Sequence, residues 1–403
     1  MALMPVAEAL AHVLDGAEPL RAEAVALSDA LGRVLAEDLV ALRTQPPDAM
    51  SAMDGYAVRG ADIETAPATL TVIGTVAAGH PFEGAVGAGQ AARIFTGGVL
   101  PPGADTIVIQ ENTTRDGARV VVKASVKPGR NVRKAGLDFR QGDVLLRRSH
   151  RLTARDLMLA AAMNHPALPV HRRAKVGVLA TGDELVPPGA QPGPGEIVYS
   201  NGFGLAALAR AEGAEVLDLG IAPDRIDATA AAIRRALAAQ CDVLVTMGGA
   251  SVGDHDVVQQ ALAGEGLELA FWRIALRPGK PMMHGRLGAM RVLGLPGNPV
   301  SSFVCAVLFL VPLLRRLAGR LDVNAEIEDA VLGRDLAEND ERADYLRATL
   351  AEGPDGGPIA TPLPVQDSSM MAPLAQADCL LIREPHAPAA SAGSPCRILK
   401  LGI

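Results

Sequence analysis

The sequence is poor in the features that most quickly assign a chain to a class. Cysteine is scarce: four stand among 403 residues, at Cys241, Cys305, Cys379 and Cys396, and none belongs to a CxxC pair. A disulfide framework is therefore not expected, and these read as free, structural thiols. The 8 histidines make no HExxH or other metal-ligand spacing, and neither GxGxxG nor GxxxxGK[ST] occurs, so Rossmann dinucleotide and Walker-type sites lack their signatures. Positive charge is also in deficit. Lys plus Arg number 38 against 45 Asp plus Glu, a formal −7, so no global field exists to gather phosphate backbones, and nucleic acid is not an expected partner. The longest apolar run, FVCAVLFLVPLL at 303–314, is too short to span a hydrocarbon layer of about 30 Å. It reads as a buried helix, and no membrane is expected. The N-terminal MALMPVAEALAHVLDG has no basic leader and carries Glu8 and Asp15 early, unlike a secretion signal, so a cytoplasmic location is expected.

What is present is an ample core, with 49% apolar residues, punctuated by 42 glycines and 29 prolines. At roughly 150 residues per domain the length allows two to four domains. Val6, Leu10, Val13 and Leu14 recur at helical spacing, and a second helix is expected over 24–37, with Ser28 and Asp29 capping a turn. Residues 46–139 change texture to short β-formers (TLTVIGTV, ARIF, DTIVI, ARVVV), and Asp116-Gly117 is a hairpin signal. Helix returns after Thr153, a cap, with an apolar face at Leu157, Ala160 and Ala161. Residues 1–45 and 140–172 thus read as one discontinuous helical domain interrupted by a β-rich insertion at 46–139. From 173 to 320 strands alternate with helices and end on a long helix over 299–317, the pattern of a parallel sheet with right-handed crossovers. Residues 321–403 show short alternating segments between Gly and Pro turns, as small β barrels do.

Ligands bind open parallel sheets beyond the carboxyl ends of the strands, and three unusual loops fall there. In GGASVGDHD, Gly248, Gly249 and Gly253 let backbone approach a ligand, Ser251 adds a hydroxyl, and Asp254 and Asp256 offer oxygens to Mg²⁺. A tight turn with a helix-capping aspartate would look the same. In TGDEL, Asp183 and Glu184 are either metal ligands or loop-solvating carboxylates. In LGLPGNPVSS, Asn298 stands at the cap and Pro299 at the first helical position, so the helix start presents its unpaired N–H groups to an anion; a well-capped core helix has the same sequence. Arg277 and Lys280 in RPGKP place two cations on one rigid loop. Asp54 in SAMDGYAV sits where a loop enters a strand, a position that also suits a structural turn. Together these residues describe a phosphate-bearing substrate, with Mg²⁺ as a candidate cofactor.

SAMDGYAV, RIFTGGVLPPGAD, TGDEL, GGASVGDHD, RPGKP and LGLPGNPVSS occur in the order and at about the separations of the MoeA-type molybdopterin molybdenumtransferases, whose eukaryotic relative is the gephyrin E-domain. The sequence resembles that family over nearly its whole length. The resemblance implies a multidomain α/β plus β architecture. Its parts are a split helical domain, an inserted β-rich domain, a molybdopterin-binding three-layer α/β domain with a mostly parallel sheet, and a C-terminal β barrel. It implies a homodimer with the active site shared between subunits, and Mg²⁺-dependent insertion of molybdate into adenylated molybdopterin with release of AMP. The molybdopterin adenylyltransferase and apo-molybdoenzymes are implied as partners. Carried over by motif, the catalytic positions are Asp54, Glu184, Asp256 and Lys280, and the metal positions Glu184, Asp254 and Asp256. The substrate-binding positions are Thr96, Asp224, Gly248, Gly249, Ser251, Gly253, Arg277, Pro296, Gly297, Asn298, Ser301, Arg347 and Ser368. Three departures stand out: Arg277 replaces a usual lysine, Tyr199 of Tyr199-Ser200-Asn201 replaces a usual aspartate, and Asp48-Ala49-Met50 stands where Phe-Asp-Asn is usual, which shifts or removes another carboxylate. Adenylation of molybdopterin is an alternative in the same pathway, but the sister enzymes are built on the α/β domain alone, and the flanking 1–172 and 321–403 argue against it. A non-catalytic molybdopterin-binding scaffold is the alternative from another class.

Overall fold

The computed structural model describes residues 3–248, 257–354 and 356–402. Its centre is a sheet whose strands are apolar on both faces. In Lys175–Thr181, Val176, Val178 and Ala180 enter one core while Leu179 enters another, and in Val243–Met247 Leu244 is likewise opposed to Val243, Val245 and Met247. A strand buried on both faces must be covered on both, which is the condition that crossover helices meet. The strand order is Glu215–Ala222, Lys175–Thr181, Val243–Met247, Met290–Leu295, Met283–Leu287, Glu268–Trp272, the first four parallel and the last two added antiparallel. The helices Val6–Leu14, Asn201–Ala211 and Pro299–Leu317 cover one face, and Ile226–Ala238 and Val257–Gly264 the other. The result is the expected three-layer unit with a mostly parallel sheet.

Pro299–Leu317 is, among the described residues, the one helix long and apolar enough to cross a membrane by length and composition, yet 78% of its apolar window is buried inside the protein. Its middle, Ala306–Leu310, is wound as a π-turn in which the Val311 N–H donates to Ala306 O. The cause lies one residue on: Pro312 has no N–H to give and its ring would meet the carbonyl four residues back, and a widened turn relieves that conflict.

Residues on either side of the insertion share a core. Ala22–Ala26 pairs antiparallel with Ala167–His171, Leu39–Val40 pairs with Val144–Leu146, and Ala30, Leu35 and Leu39 pack with Leu152, Ala160, Met163 and Leu168. The helix Ala154–Ala162 starts where expected, with the Asp156 carboxylate accepting from the Thr153 N–H at 2.7 Å and from its hydroxyl at 2.6 Å. Two expectations fail here. No helix spans 24–37; the chain forms the strand just named, one 3₁₀ turn at Leu27–Asp29, and then Gly32 at φ +72°. The ladder to 167–171 outbids helix propensity, and a left-handed glycine ends any right-handed run. The first helix, moreover, packs Ala9 and Val13 into the α/β core instead of the discontinuous unit's core.

The inserted segment forms a six-stranded mixed sheet ordered Thr106–Ile109, Gly55–Val58, Gln90–Ile94, Ala68–Val76, Arg119–Val122, Thr113–Asp116. Its hairpin turns at Gly117-Ala118, one residue past the signal, because Asp116 pairs with Arg119. Near the C-terminus, Ala343–Glu352, Pro358–Pro362, Ile327–Leu332, Pro395–Lys400 and Cys379–Arg383 close into a barrel when the last pairs with the first. Tyr345, Leu380 and Ile382 of this barrel join the core of the α/β unit. All four cysteines are free.

Candidate active site

A cleft opens at the carboxyl ends of the parallel strands, where the strand Lys175–Thr181 hands over to Gly182, Val243–Met247 to Gly248, and Met290–Leu295 to Pro296. Its walls include Glu184, Tyr199, Asn201, Gly248, Pro296, Gly297, Asn298 and Pro299, with Ser369 and Met371 supplied by the barrel. Backbone must pass close here. At Gly248, φ is +89° and a Cβ would lie 2.6 Å from Thr181 O, so the position excludes any side chain. The Gly297 and Gly248 backbones lie against each other, and the Asn201 amide donates to Gly297 O at 2.7 Å, tying the starts of two helices together.

The helix start at Asn298 has Pro299 at its first position as expected, but the Asn298 side chain does not cap it. Its Nδ2 donates to Ser368 Oγ at 2.9 Å, and the Val300 N–H donates to Ser368 O at 3.1 Å. Ser368 of the barrel loop is thus brought to the site, and one donor of the helix terminus is already engaged by it. Ser301 is buried, and the Ser302 hydroxyl donates to Pro296 O. Arg347 is not a free cation. It is 1% exposed, and its guanidinium donates to Gln366 Oε1 and to the carbonyls of Asp367, Met370 and Val365, so it braces the loop that carries Ser368. Burial lowers its affinity for the proton.

The two cations of RPGKP part company. Arg277 donates to both Asp344 oxygens, at 3.0 and 2.6 Å, to Asp340 at 2.8 Å and to Asn339 at 2.9 Å. Its hydrogen bonds to Asp344 raise its pKa. The expectation that it binds an anion meets a guanidinium with four of its five N–H donors engaged by the protein. Lys280 is exposed and has no ion pair among the described residues.

Asp54 and Thr96 lie together on the inserted sheet: the Asp54 carboxylate accepts from the Thr96 N–H and hydroxyl, each at 2.8 Å. Those bonds hold the carboxyl below the usual carboxylate range. Neither residue lines the cleft. Asp224 faces the TGDEL loop, where Asp183 and Asp224 each accept the other's backbone N–H, at 3.1 and 3.4 Å. Among the described residues no group of three His, Cys, Asp or Glu side chains could hold a metal by itself. Gly249, Ser251, Gly253, Asp254 and Asp256 lie outside the described residues. Glu184 is exposed in the cleft without an ion pair among the described residues. A single carboxylate completed by substrate phosphate oxygens and water fits Mg²⁺, which rarely uses an all-protein cage.

Sequence reasoning missed two contributors. Asn201 was visible only as the end of a departing loop, and its bond to Gly297 depends on helix placement. Tyr199 fills the cleft wall with its ring, its hydroxyl pushed up to about 12 by burial.

Models of three family regions match the chain in order: the MoeA N-terminal region (domain I and II) at residues 4–164, the probable molybdopterin binding domain at 177–316, and the MoeA C-terminal region (domain IV) at 329–401. The chain is 34% identical over 382 residues to the molybdopterin molybdenumtransferase of Haemophilus influenzae, covering 94% of each. It is 39% identical over 304 residues to that of a Nostoc species, covering 74% of this chain and 70% of the other. Two crystal structures of the molybdopterin biosynthesis MoeA protein from Pyrococcus horikoshii superpose with TM-scores of 0.86 and 0.82 at 31% and 28% identity. Each covers 99% of this chain and 99% or 100% of its own.

Proposed function

Because the chain belongs to the MoeA family of molybdopterin molybdenumtransferases, we propose that it serves molybdenum cofactor biosynthesis by inserting molybdate into the dithiolene of adenylated molybdopterin, with release of AMP. The observation that carries this reading is the cleft at the strand ends, where glycine backbone and the start of a long helix meet, and whose wall includes Pro281, the residue that follows Lys280. Lys280 holds molybdate, a tetrahedral dianion, by charge. Gly248 and Gly297 let the substrate's phosphates come against backbone, and Asn298 and Ser368 offer polar contacts beside them. Mg²⁺, when bound, neutralises phosphoanhydride charge; Glu184 would hold it, together with Asp254 and Asp256. Asp54 and Thr96 act from the partner subunit of a homodimer, consistent with their absence from the cleft of their own chain.

The test is AMP release from adenylated molybdopterin by the purified protein with Mg²⁺, with and without molybdate. Molybdate-dependent release, with a product that activates an apo-molybdoenzyme, is expected; binding without release would favour an adenylating or scaffold role. Lys280→Ala should abolish the molybdate-dependent part while circular dichroism stays unchanged. Retained release in that variant would overturn the assignment of Lys280.

A further inference from the structure

The loop that carries Lys280 owes its place to the barrel. The strand Leu276–Arg277 pairs with Ala343–Asp344 at the start of a barrel strand, and the Ala343 N–H donates to Ala275 O at 2.9 Å. Beside that ladder the Arg277 fork meets Asp344 edge-on, with Nε and Nη2 each bonded to one oxygen. This two-point contact is geometry that a lysine cannot reproduce. The Asp344 side chain is 8% exposed, and a carboxylate so far removed from water strongly resists losing its partner. The socket is built in advance. Asn339 is itself held through Nδ2 by the carbonyls of Arg342, Arg383 and Glu384, and Asp340 also binds Arg342.

The other side of the loop is equally confined. The Ile274 N–H donates to Lys280 O at 3.0 Å. Gly279, at φ +131°, sits where a Cβ would come within 2.6 Å of Cys305 Sγ on the long helix. The loop is therefore clamped between barrel and helix, next to Pro281 in the cleft wall.

We propose that Asp344 is a positioning residue for the oxyanion site: by gripping Arg277 it fixes the 277–281 loop and so places Lys280 at the cleft, with Arg277 serving as the tie and not as an oxyanion ligand. The inference rests on the oxyanion reading of the cleft given above. Asp344→Asn keeps the side-chain size, removes the charge and breaks the two-point contact, leaving Arg277 with Asp340 and Asn339 and its charge only partly neutralised. If Arg277 were an anion ligand, that less neutralised charge would strengthen molybdate binding in calorimetric titration. The positioning role has the opposite sign: molybdate binds about tenfold more weakly, and Arg277→Lys is weakened alike although its charge is kept.

Hydrogen exchange on the whole protein separates this inference from the functional reading. In Asp344→Asn the Ile274 and Ala343 amides should exchange about tenfold faster or more, while amides of Val243–Met247 keep wild-type rates. Tighter molybdate binding, unchanged exchange at Ile274 and Ala343, or faster exchange spread evenly over the α/β sheet would each overturn the proposal. Should the wild-type protein bind no molybdate, the functional reading falls, and the exchange rates still decide whether Asp344 holds the loop.

Discussion

Asp54 shows how little of a residue's behaviour its own neighbourhood in sequence dictates. The N–H and hydroxyl that keep it ionised come from Thr96, on another strand end of the inserted sheet. Thr96→Val removes the hydroxyl and leaves the amide, so the Asp54 pKa should rise toward the ordinary value of 3.8, read by NMR of the carboxyl carbon. An unmoved titration would show that the hydroxyl contributes nothing. His284 is a second case. It is 1% exposed, its Nδ1–H donates to Val292 O at 3.0 Å, and burial pulls its pKa from 6.5 to about 4, with Arg291, Arg286 and His12 adding to the effect. As pH falls below 6.5 the unfolded chain takes up this proton and the folded chain does not, until about pH 4. Stability should therefore fall across that window by about 3 kcal/mol in all. Urea midpoints at pH 7 and 4.5 should converge in His284→Gln relative to wild type; an equal loss in both would assign the acid sensitivity elsewhere.

Among the elements, long periodic segments were the easiest to read. Pro299 at a helix start and an apolar run behind it announce the long helix, and Thr153 announces the helix Ala154–Ala162. Residues 24–37 carry enough alanine and leucine to suggest a helix, and become a strand and a turn because their partner lies at 167–171, far along the chain. The Tyr199 departure has its structural consequence in the next helix: a Cβ at Gly202 would lie 1.6 Å from Tyr199 Oη. Gly202→Ala should cost about 1–3 kcal/mol despite the better helix propensity of alanine. In a Tyr199→Leu background the clash disappears, and the same substitution should stabilise by a few tenths to about 1 kcal/mol. Thermal unfolding of the four proteins reads this reversal of sign, and its absence would mean that the helix start shifts to make room.

For the molecule as a whole, the separation of Asp54 and Thr96 from the cleft of their own chain makes subunit sharing testable. Asp54→Ala and Lys280→Ala variants, each inactive alone, should regain activity when co-expressed. Random pairing makes half the dimers mixed with one intact site each, giving about a quarter of wild-type activity. No recovery, in a preparation shown by mass spectrometry to contain mixed dimers, would place the whole site in one chain.

The sequence by itself determined the parallel α/β centre, the β barrel that follows it and the long helix whose start enters the cleft. Those follow from local causes: alternation of apolar residues, glycines with φ beyond the reach of a side chain, and proline at a helix start. Tertiary structure alone decided which charges are free. Arg277 and Lys280 stand three positions apart and look alike in sequence, yet Asp340 and Asp344 of the barrel occupy the first and leave the second without an ion pair among the described residues. Arg347 is likewise drawn inward to brace a loop. Whether a charged side chain binds a ligand or the protein itself depends on which partners folding brings within hydrogen-bond reach, and those partners lie more than sixty residues away along the chain for Arg277.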